Sequence, residues 1–482
     1  MSDSTPNVDA STGGPKVTVL GAGPAGVAAA YALTKDRASQ VTVLERGTQV
    51  GGNSSSFQMD DIWVDYGSHR FHPVADPNVL DDVKEILGDD LLLRPRHGRI
   101  RLGGSWIHFP LKPIDAMLKL PKSFAASLML DSVLGKFKKS ADGPKTFETV
   151  LYDGLGKTIS ENFYFPYVKK LWGLDPEKLA VKLAERRVSG SSISKILFKM
   201  ARMLPGLRSE TAGRFFYPRK GFGQIVSDMS KRAESNGATF DFGSNITRIE
   251  RDGNKAVAIW TKDGDKEVRT ETETIWSTIP ITTLVRLLDA PEDVQTAANA
   301  IKFRGMILVY LVLETDQFTE YDAHYFPELS IPISRMSEPK NYNASVEPKG
   351  TTILCAELPS DPGDEWWEMS DEALGEKYCE WLASVGLPVN VNVRRTETRR
   401  LANAYPVYDL DYEANFDVMD KWLEGIEGVL TFGRQGLFAH DNTHHAFAMA
   451  YGAADCLSQT GEFDHKKWDA YRREFEHHVV ED

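Results

Sequence analysis

The chain has 482 residues and a formal net charge of −13, enough length for two or three packed units. An acidic balance excludes a general nucleic-acid binder, which needs a basic field to neutralise phosphates. Its three cysteines, Cys355, Cys379 and Cys456, are too scattered for a disulfide framework or a CxxC metal pattern, which fits a reducing, cytoplasmic compartment.

Residues 1–14 are polar and acidic and read as a disordered tail, not a signal peptide. No apolar run approaches the roughly 18 residues that span a bilayer. The β-branched run Val17-Thr18-Val19-Leu20 then passes into Gly21-Ala22-Gly23-Pro24-Ala25-Gly26 and an alanine-rich helical segment. Gly21 suits a tight turn, Gly23 lets backbone approach a pyrophosphate, and Gly26 lets the helix pack on the strand with its N-terminus aimed at the phosphates. A second strand, Val41-Thr42-Val43-Leu44, ends at Glu45, whose carboxylate is placed to bond the ribose hydroxyls of an adenine dinucleotide.

Arg46, the Gly51-Gly52 pair and Asn53 extend this motif in a way that resembles the FAD signature of amine oxidases, protoporphyrinogen oxidases, phytoene desaturases and UDP-galactopyranose mutase. The resemblance implies FAD as cofactor. Asp65-Tyr66-Gly67-Ser68-His69-Arg70-Phe71 is similar to the segment that runs under the isoalloxazine in the mutase, which brings Gly67, Ser68 and His69 to the flavin.

Further along, Asp76-Pro77-Asn78 opens a helix ending at Gly88, with Asn78 as its expected cap. Residues 96–109 read as a hairpin turning at Gly103-Gly104, with His97, Arg99 and Arg101 on one face. That face is either solvated or an anion-binding wall. The helical stretches SFAASLMLDSVLGKFKK and ISKILFKMARMLPGL either pack on the core or allow peripheral membrane contact. Between them, the aromatic run Phe163-Tyr164-Phe165-Pro166-Tyr167 leads into Lys170-Leu171-Trp172-Gly173 and then Arg186-Arg187. By the resemblance, Tyr167 and Arg186 or Arg187, with Arg187 preferred, face substrate.

Phe215-Phe216-Tyr217-Pro218-Arg219-Lys220-Gly221-Phe222-Gly223 looks like the return to the cofactor domain, with Tyr217 a substrate candidate and the glycines allowing close approach to flavin or substrate. Residues 238–269 read as an antiparallel meander. The resemblance places the backbone of Ile246 on the adenine and brings the segment holding Thr278 back over the dinucleotide. Runs at 306–313, 331–335 and 352–357 suggest strands of a second sheet, with Arg335 facing a cavity. By the resemblance, Tyr405-Pro406 occupies the place of the mutases' proline-rich loop at substrate and flavin. Finally, the resemblance implies that Gly433-Arg434 and the helix opening around His445 and Ala446 complete the flavin site, the positive end of that helix facing the charge of a reduced flavin. His440, His444 and His445 lack a metal-ligand spacing, so no metal is expected.

The expected fold is α/β: a Rossmann-like FAD-binding domain (15–75, 213–290 and 425–482) with an inserted α+β substrate domain, its helical part at 76–212 and its mixed or antiparallel sheet at 291–424. The resemblance implies an FAD-dependent oxidoreductase; the aromatic and apolar candidates suggest a bulky or lipidic small-molecule substrate, and Arg99, Arg101, Arg187 and Arg335 an anionic group, which a glycosyl or prenyl phosphate would combine. His69 and Arg434 are the catalytic candidates. The alternative is a mutase-like, non-redox flavoenzyme acting on a sugar nucleotide. Oligomeric state is open.

Overall fold

A computed structural model describes residues 14–35, 39–110, 112, 115, 118–134, 144–188, 213–264 and 266–480. The tail at 1–13, the helical stretch at 193–207 and the end of the first amphipathic stretch lie outside the described residues.

Five parallel strands, in the order Val429–Thr431, Ile275–Ser277, Lys16–Leu20, Gln40–Glu45 and Thr239–Phe242, build the dinucleotide sheet. Thr239–Phe242 therefore belongs to this sheet and not to the meander expected from its sequence. The antiparallel ladder is made only by Asn245–Asp252, Lys255–Asp263 and Lys266–Glu271. The alternating pattern of residues 238–242 does not reveal whether a partner runs parallel or antiparallel. Helix Pro24–Lys35 and helix Thr443–Cys456 pack together against the sheet through small residues, Ala28, Ala29, Ala450 and Ala453, all fully buried. Such short side chains let the two helix axes come close.

The second sheet is mixed and seven-stranded: Val393–Pro406, Phe303–Leu313, Thr352–Pro359, Arg335–Ser337, Ala323–Tyr325, Gly98–Leu102 and Ser105–Phe109. Gly98–Leu102 pairs parallel with Ala323–Tyr325, so the hairpin inside the 76–212 insert hydrogen-bonds into the sheet of the later segment. Its turn is the expected two-residue one, with Gly103 and Gly104 at φ 57° and 77°. Residues 331–333 are not a strand; only Arg335–Ser337 pairs. At the helix Pro77–Leu87 the cap is Asp76, not Asn78: the Asp76 carboxylate accepts from the amides of Asn78 and Val79 while Pro77 fills the first turn.

Lys170 ties the helical insert to the connection between the strands Ala323–Tyr325 and Arg335–Ser337 of this sheet. Its ammonium is buried and donates to the carbonyls of Phe326, Glu328 (2.7 Å) and Ile333 (3.1 Å). Lys170→Met would leave those oxygens without a donor. We expect a loss of about 2–4 kcal/mol in urea unfolding, with the flavin absorbance unchanged at neutral pH. No helix among the described residues is long and apolar enough to cross a membrane.

Candidate active site

The Gly21 turn is held from three sides. Its amide donates to Leu44 O (2.8 Å), Thr278 Oγ1 donates to Leu20 O (2.9 Å), and its φ of 92° suits glycine. A Cβ on Gly26 would sit 1.9 Å from Gly21 O, and one on Gly433 2.7 Å from the Ala25 Cβ, so these glycines allow backbone and helix to close on each other. Gly23 differs: a Cβ there would meet nothing within 4 Å. The loop through Gly51 and Gly52 borders that open space, tied by the Gly51 amide to Ala22 O (2.8 Å), and Asn53 follows in a short turn. Helix Pro24–Lys35 has no acidic residue in its first turn, so its positive end is not offset from within. Ser54 Oγ lies 3.3 Å from Thr443 Oγ1, joining this cradle to the start of the second helix, where His445 and Ala446 are buried.

Glu45 closes the other end. Its carboxylate accepts from the amides of Ala22 (2.7 Å) and Gly47 (2.6 Å), which fix it beside the turn, and Arg46 beyond it is exposed. The Gly243 and Ser244 amides bond to Gly47 O and Glu45 O, and this brings Ile246 alongside. Open space at Gly23, a helix N-terminus and an acid oriented by amides fit an adenine dinucleotide.

At the opposite end, Gly67 (φ 93°) turns the chain so that the Ser68 amide donates to Glu357 Oε1 (2.8 Å). Glu357 is also gripped by Arg335 through two bonds of 2.9 Å. Burial opposes the charge on Arg335, but Glu357, Tyr325, Tyr405 and Tyr167 outweigh it and hold the guanidinium protonated. The Arg335 group lies 5.7 Å from the Tyr325 ring, and Arg187 and Arg434 lie 5.2 and 4.9 Å from the Tyr405 ring. Arg187 also packs 5.4 Å from Trp172. Thus Tyr167, Arg187, Arg335, Tyr405 and Arg434 come together beside the Ser68–His69 turn. Aromatic Phe163, Phe109 and Tyr325 adjoin them around Ile100 and Ile107. The aromatic run reaches this place through a π-helical turn, Ser160–Tyr164, between Phe147–Ile159 and Phe165–Trp172.

His69 stacks on Phe222 at 5.1 Å with its Nε2 3.0 Å from Tyr66 O. Burial lowers its pKa although Asp65 and the Tyr66 carbonyl pull the other way, so the ring is neutral at pH 7. Nε2 next to a carbonyl must carry the hydrogen, leaving the lone pair on Nδ1.

Other candidates lie elsewhere. Tyr217 is buried and donates to Asp65 Oδ2 (2.6 Å), a carboxylate that also accepts from Ser56 Oγ and the Phe222 amide. Gly221 and Gly223 sit against Ser56, where a Cβ would meet its atoms at 2.6 and 2.4 Å, so their smallness serves packing and not approach to a ligand. Arg99 pairs in register with His324 and His108, whereas Arg335, Tyr325 and Ile100 share the other face of the sheet. Arg99 and Arg101 therefore point away from Arg335; Arg99 packs on Trp106 and Tyr321, and Arg101 pairs with Glu328. Arg186 holds the carbonyls of Phe475 (2.6 Å) and His478 (3.4 Å), which leaves Arg187 as the member of the pair in the cluster.

Two residues, Glu357 and Arg70, were not foreseen as part of the site, and His440 was weighed only as a metal ligand. Glu357 stands as a lone acid inside the buried strand Thr352–Pro359, which was the available signal. Arg70 donates to the hydroxyls of Tyr325 and Tyr342 (3.0 Å each) and to Asp322. His440 is 1% exposed, packs among Trp172, Tyr405 and Tyr408, and has neither ring nitrogen hydrogen-bonded. Burial, then Arg187 and Arg434, keep it neutral.

This fold and site define a dinucleotide-binding flavoprotein. The family described as flavin containing amine oxidoreductase matches residues 24–438, and the chain belongs to it. Its cofactor is FAD. Among curated proteins, a probable UDP-galactopyranose mutase of Klebsiella pneumoniae is 26% identical over 35% of this chain and 44% of its own length. Protoporphyrinogen oxidase 2 of Arabidopsis thaliana is 26% identical over 45% of this chain and 46% of its own. The matches thus span less than half of these relatives. A reduced UDP-galactopyranose mutase shares the fold at a TM-score of 0.76 and 20% identity, covering 92% of this chain and 93% of that one.

Proposed function

We propose that the protein is an FAD-dependent oxidoreductase that transfers hydride between flavin N5 and a bulky substrate bearing an anionic, phosphate-like group. The observation that carries this reading is the convergence of Arg187, Arg335 and Arg434 on Tyr405, with the aromatic wall of Phe163, Phe109 and Tyr325 beside it. Bound FAD supplies an electron-pair acceptor or donor at N5. Gly21, Gly23, Gly26, Gly51, Gly52 and Glu45 hold the dinucleotide, with Pro24, Ala25, Asn53, Thr278 and Gly433 shaping the cradle. Arg187 and Arg434 bind and orient the anion; the tyrosines and phenylalanines exclude water from the apolar part. His69, neutral with a lone pair on Nδ1, takes up or returns the substrate proton.

Anaerobic addition of prenyl and glycosyl diphosphates should bleach the flavin band, and Arg187→Ala should raise the substrate's apparent Kd by about tenfold or more. A second reading, a non-redox mutase, is favoured by the two guanidiniums of Arg187 and Arg434 beside Tyr405, a pair of charges that suits a diphosphate. It would show as no bleaching, with turnover of a sugar nucleotide after chemical reduction. If neither occurs with any phosphorylated compound, the anion assignment is wrong. His69 also sets a pH expectation. Its pKa lies below 6.5, so kcat should be level above that pH and fall as acid protonates the ring. His69→Gln should lower kcat by about 100-fold and abolish that acidic limb with KM little changed.

A further inference from the structure

The start of helix Thr443–Cys456 carries a second group of side chains, next to the arginine cluster but not part of it. Asp441 has a side chain fully withdrawn from solvent, and neither carboxylate oxygen makes a hydrogen bond. A buried carboxylate is costly unless cations face it closely, and the Arg186 guanidinium, held by two backbone carbonyls, stands 3.6 Å off, beyond hydrogen-bond reach. Its Oδ1 lies 3.3 Å from His445 Nδ1 and 3.4 Å from His478 Nδ1, and all three atoms fall within 4.8 Å of one another. A tetrahedral ion with bonds of about 2.0–2.1 Å has ligand-to-ligand edges of about 3.3–3.4 Å. Two of the three edges already have that length.

We propose that Asp441, His445 and His478 form a binding site for a divalent transition metal of the zinc type, with its fourth position open to solvent. Several features support it. His445 and His478 both line a cavity of about 780 Å³, which provides the approach and room for a water ligand. That cavity also carries Asp76, Asp82, Asp455 and Glu474 against Lys35, so its field favours a cation. Arg186, 3.6 Å from Asp441 Oδ1, is engaged with the backbone carbonyls of Phe475 and His478, and Val480 N returns to Arg186 O. These bonds fix the segment that supplies the third ligand. The Asn442 amide now points at His445 Nδ1 (3.2 Å) and would turn to water when the metal takes that lone pair. The site would pin the C-terminal segment to the helix whose first residue, Thr443, touches the dinucleotide cradle at Ser54.

The test uses flavin-loaded protein stripped of metal by a chelator and titrated with cobalt(II), whose ligand-field band reports tetrahedral coordination. One equivalent should bind with that band. His478→Ala should weaken binding by at least about tenfold while keeping its flavin spectrum. His477→Ala, at an exposed neighbour, should bind as the parent does. No stoichiometric band, or a band with the same midpoint in His478→Ala, overturns the proposal and leaves Arg186 as the cation that faces Asp441. A His478→Ala protein without flavin would be replaced by His478→Gln, read in the same way.

Discussion

Gly26→Ala is expected to yield protein without flavin and with a strongly lowered melting temperature. Its new methyl would lie 1.9 Å from the Gly21 carbonyl oxygen, a backbone atom that cannot step aside without moving the turn. Overpacking of this kind destabilises by about 1–3 kcal/mol or more, and the displaced turn is the one proposed to hold the pyrophosphate. Gly23→Ala isolates the second effect. Its methyl meets no protein atom within 4 Å, so the apoprotein should melt as the parent does while FAD affinity falls by at least about tenfold. Paired thermal scans of apo- and FAD-loaded protein read both. Equal losses of apoprotein stability in the two variants would contradict the assignment of Gly23 to the ligand and Gly26 to the fold.

Removing Glu357 should have the largest effect on stability of any single change at the site. Glu357→Ala leaves Arg335 buried beside aromatic rings without its two-bond partner and strips the acceptor from the Ser68 amide. Breaking a buried pair from one side costs about 3–5 kcal/mol, a large share of the ordinary 5–15 kcal/mol. The double change Arg335→Met with Glu357→Leu removes both charges and should recover much of that loss, because an apolar pair of similar volume needs no desolvation. Its response to phosphorylated substrates should not recover. Urea unfolding of the two variants checks the first half, and anaerobic flavin bleaching the second. A double variant no more stable than Glu357→Ala would mean that the Ser68 contact, not the unpaired charge, dominates.

The parts legible in the sequence are those written in local chemistry. The turn from Gly21 to Gly26, Glu45 at a strand end and the Gly103-Gly104 hairpin each announce themselves within a few residues. Val393–Pro406 does not: Arg394, Arg395, Glu397, Arg399 and Arg400 give it a charged look, although it is a 14-residue strand at the edge of the seven-stranded sheet. Charge on an edge strand discourages pairing with other chains and hides the hydrophobic period. The face on which Arg99 lies was also out of reach, because it is set by pairing with His324, over 200 residues away. Arg335 was singled out, but its partner Glu357 was not, since an acid between Ala356 and Leu358 becomes meaningful only once the strand is buried. Likewise, Asp441 and His445 are neighbours in sequence, whereas His478 joins them only through the fold.

The order of the five-stranded sheet bears on how the protein is made. Lys16–Leu20 and Gln40–Glu45 are synthesised early, but their neighbours Ile275–Ser277 and Val429–Thr431 follow hundreds of residues later. Such distant pairings form slowly, since a long loop must close before any contact rewards it. A ribosome-bound chain that has not yet exposed residue 431 therefore lacks one wall of the cofactor cradle. The cradle that fits flavin is thus complete only late in synthesis, and until then the half-built sheet presents unpaired strand edges, the kind of surface that makes folding intermediates prone to aggregation.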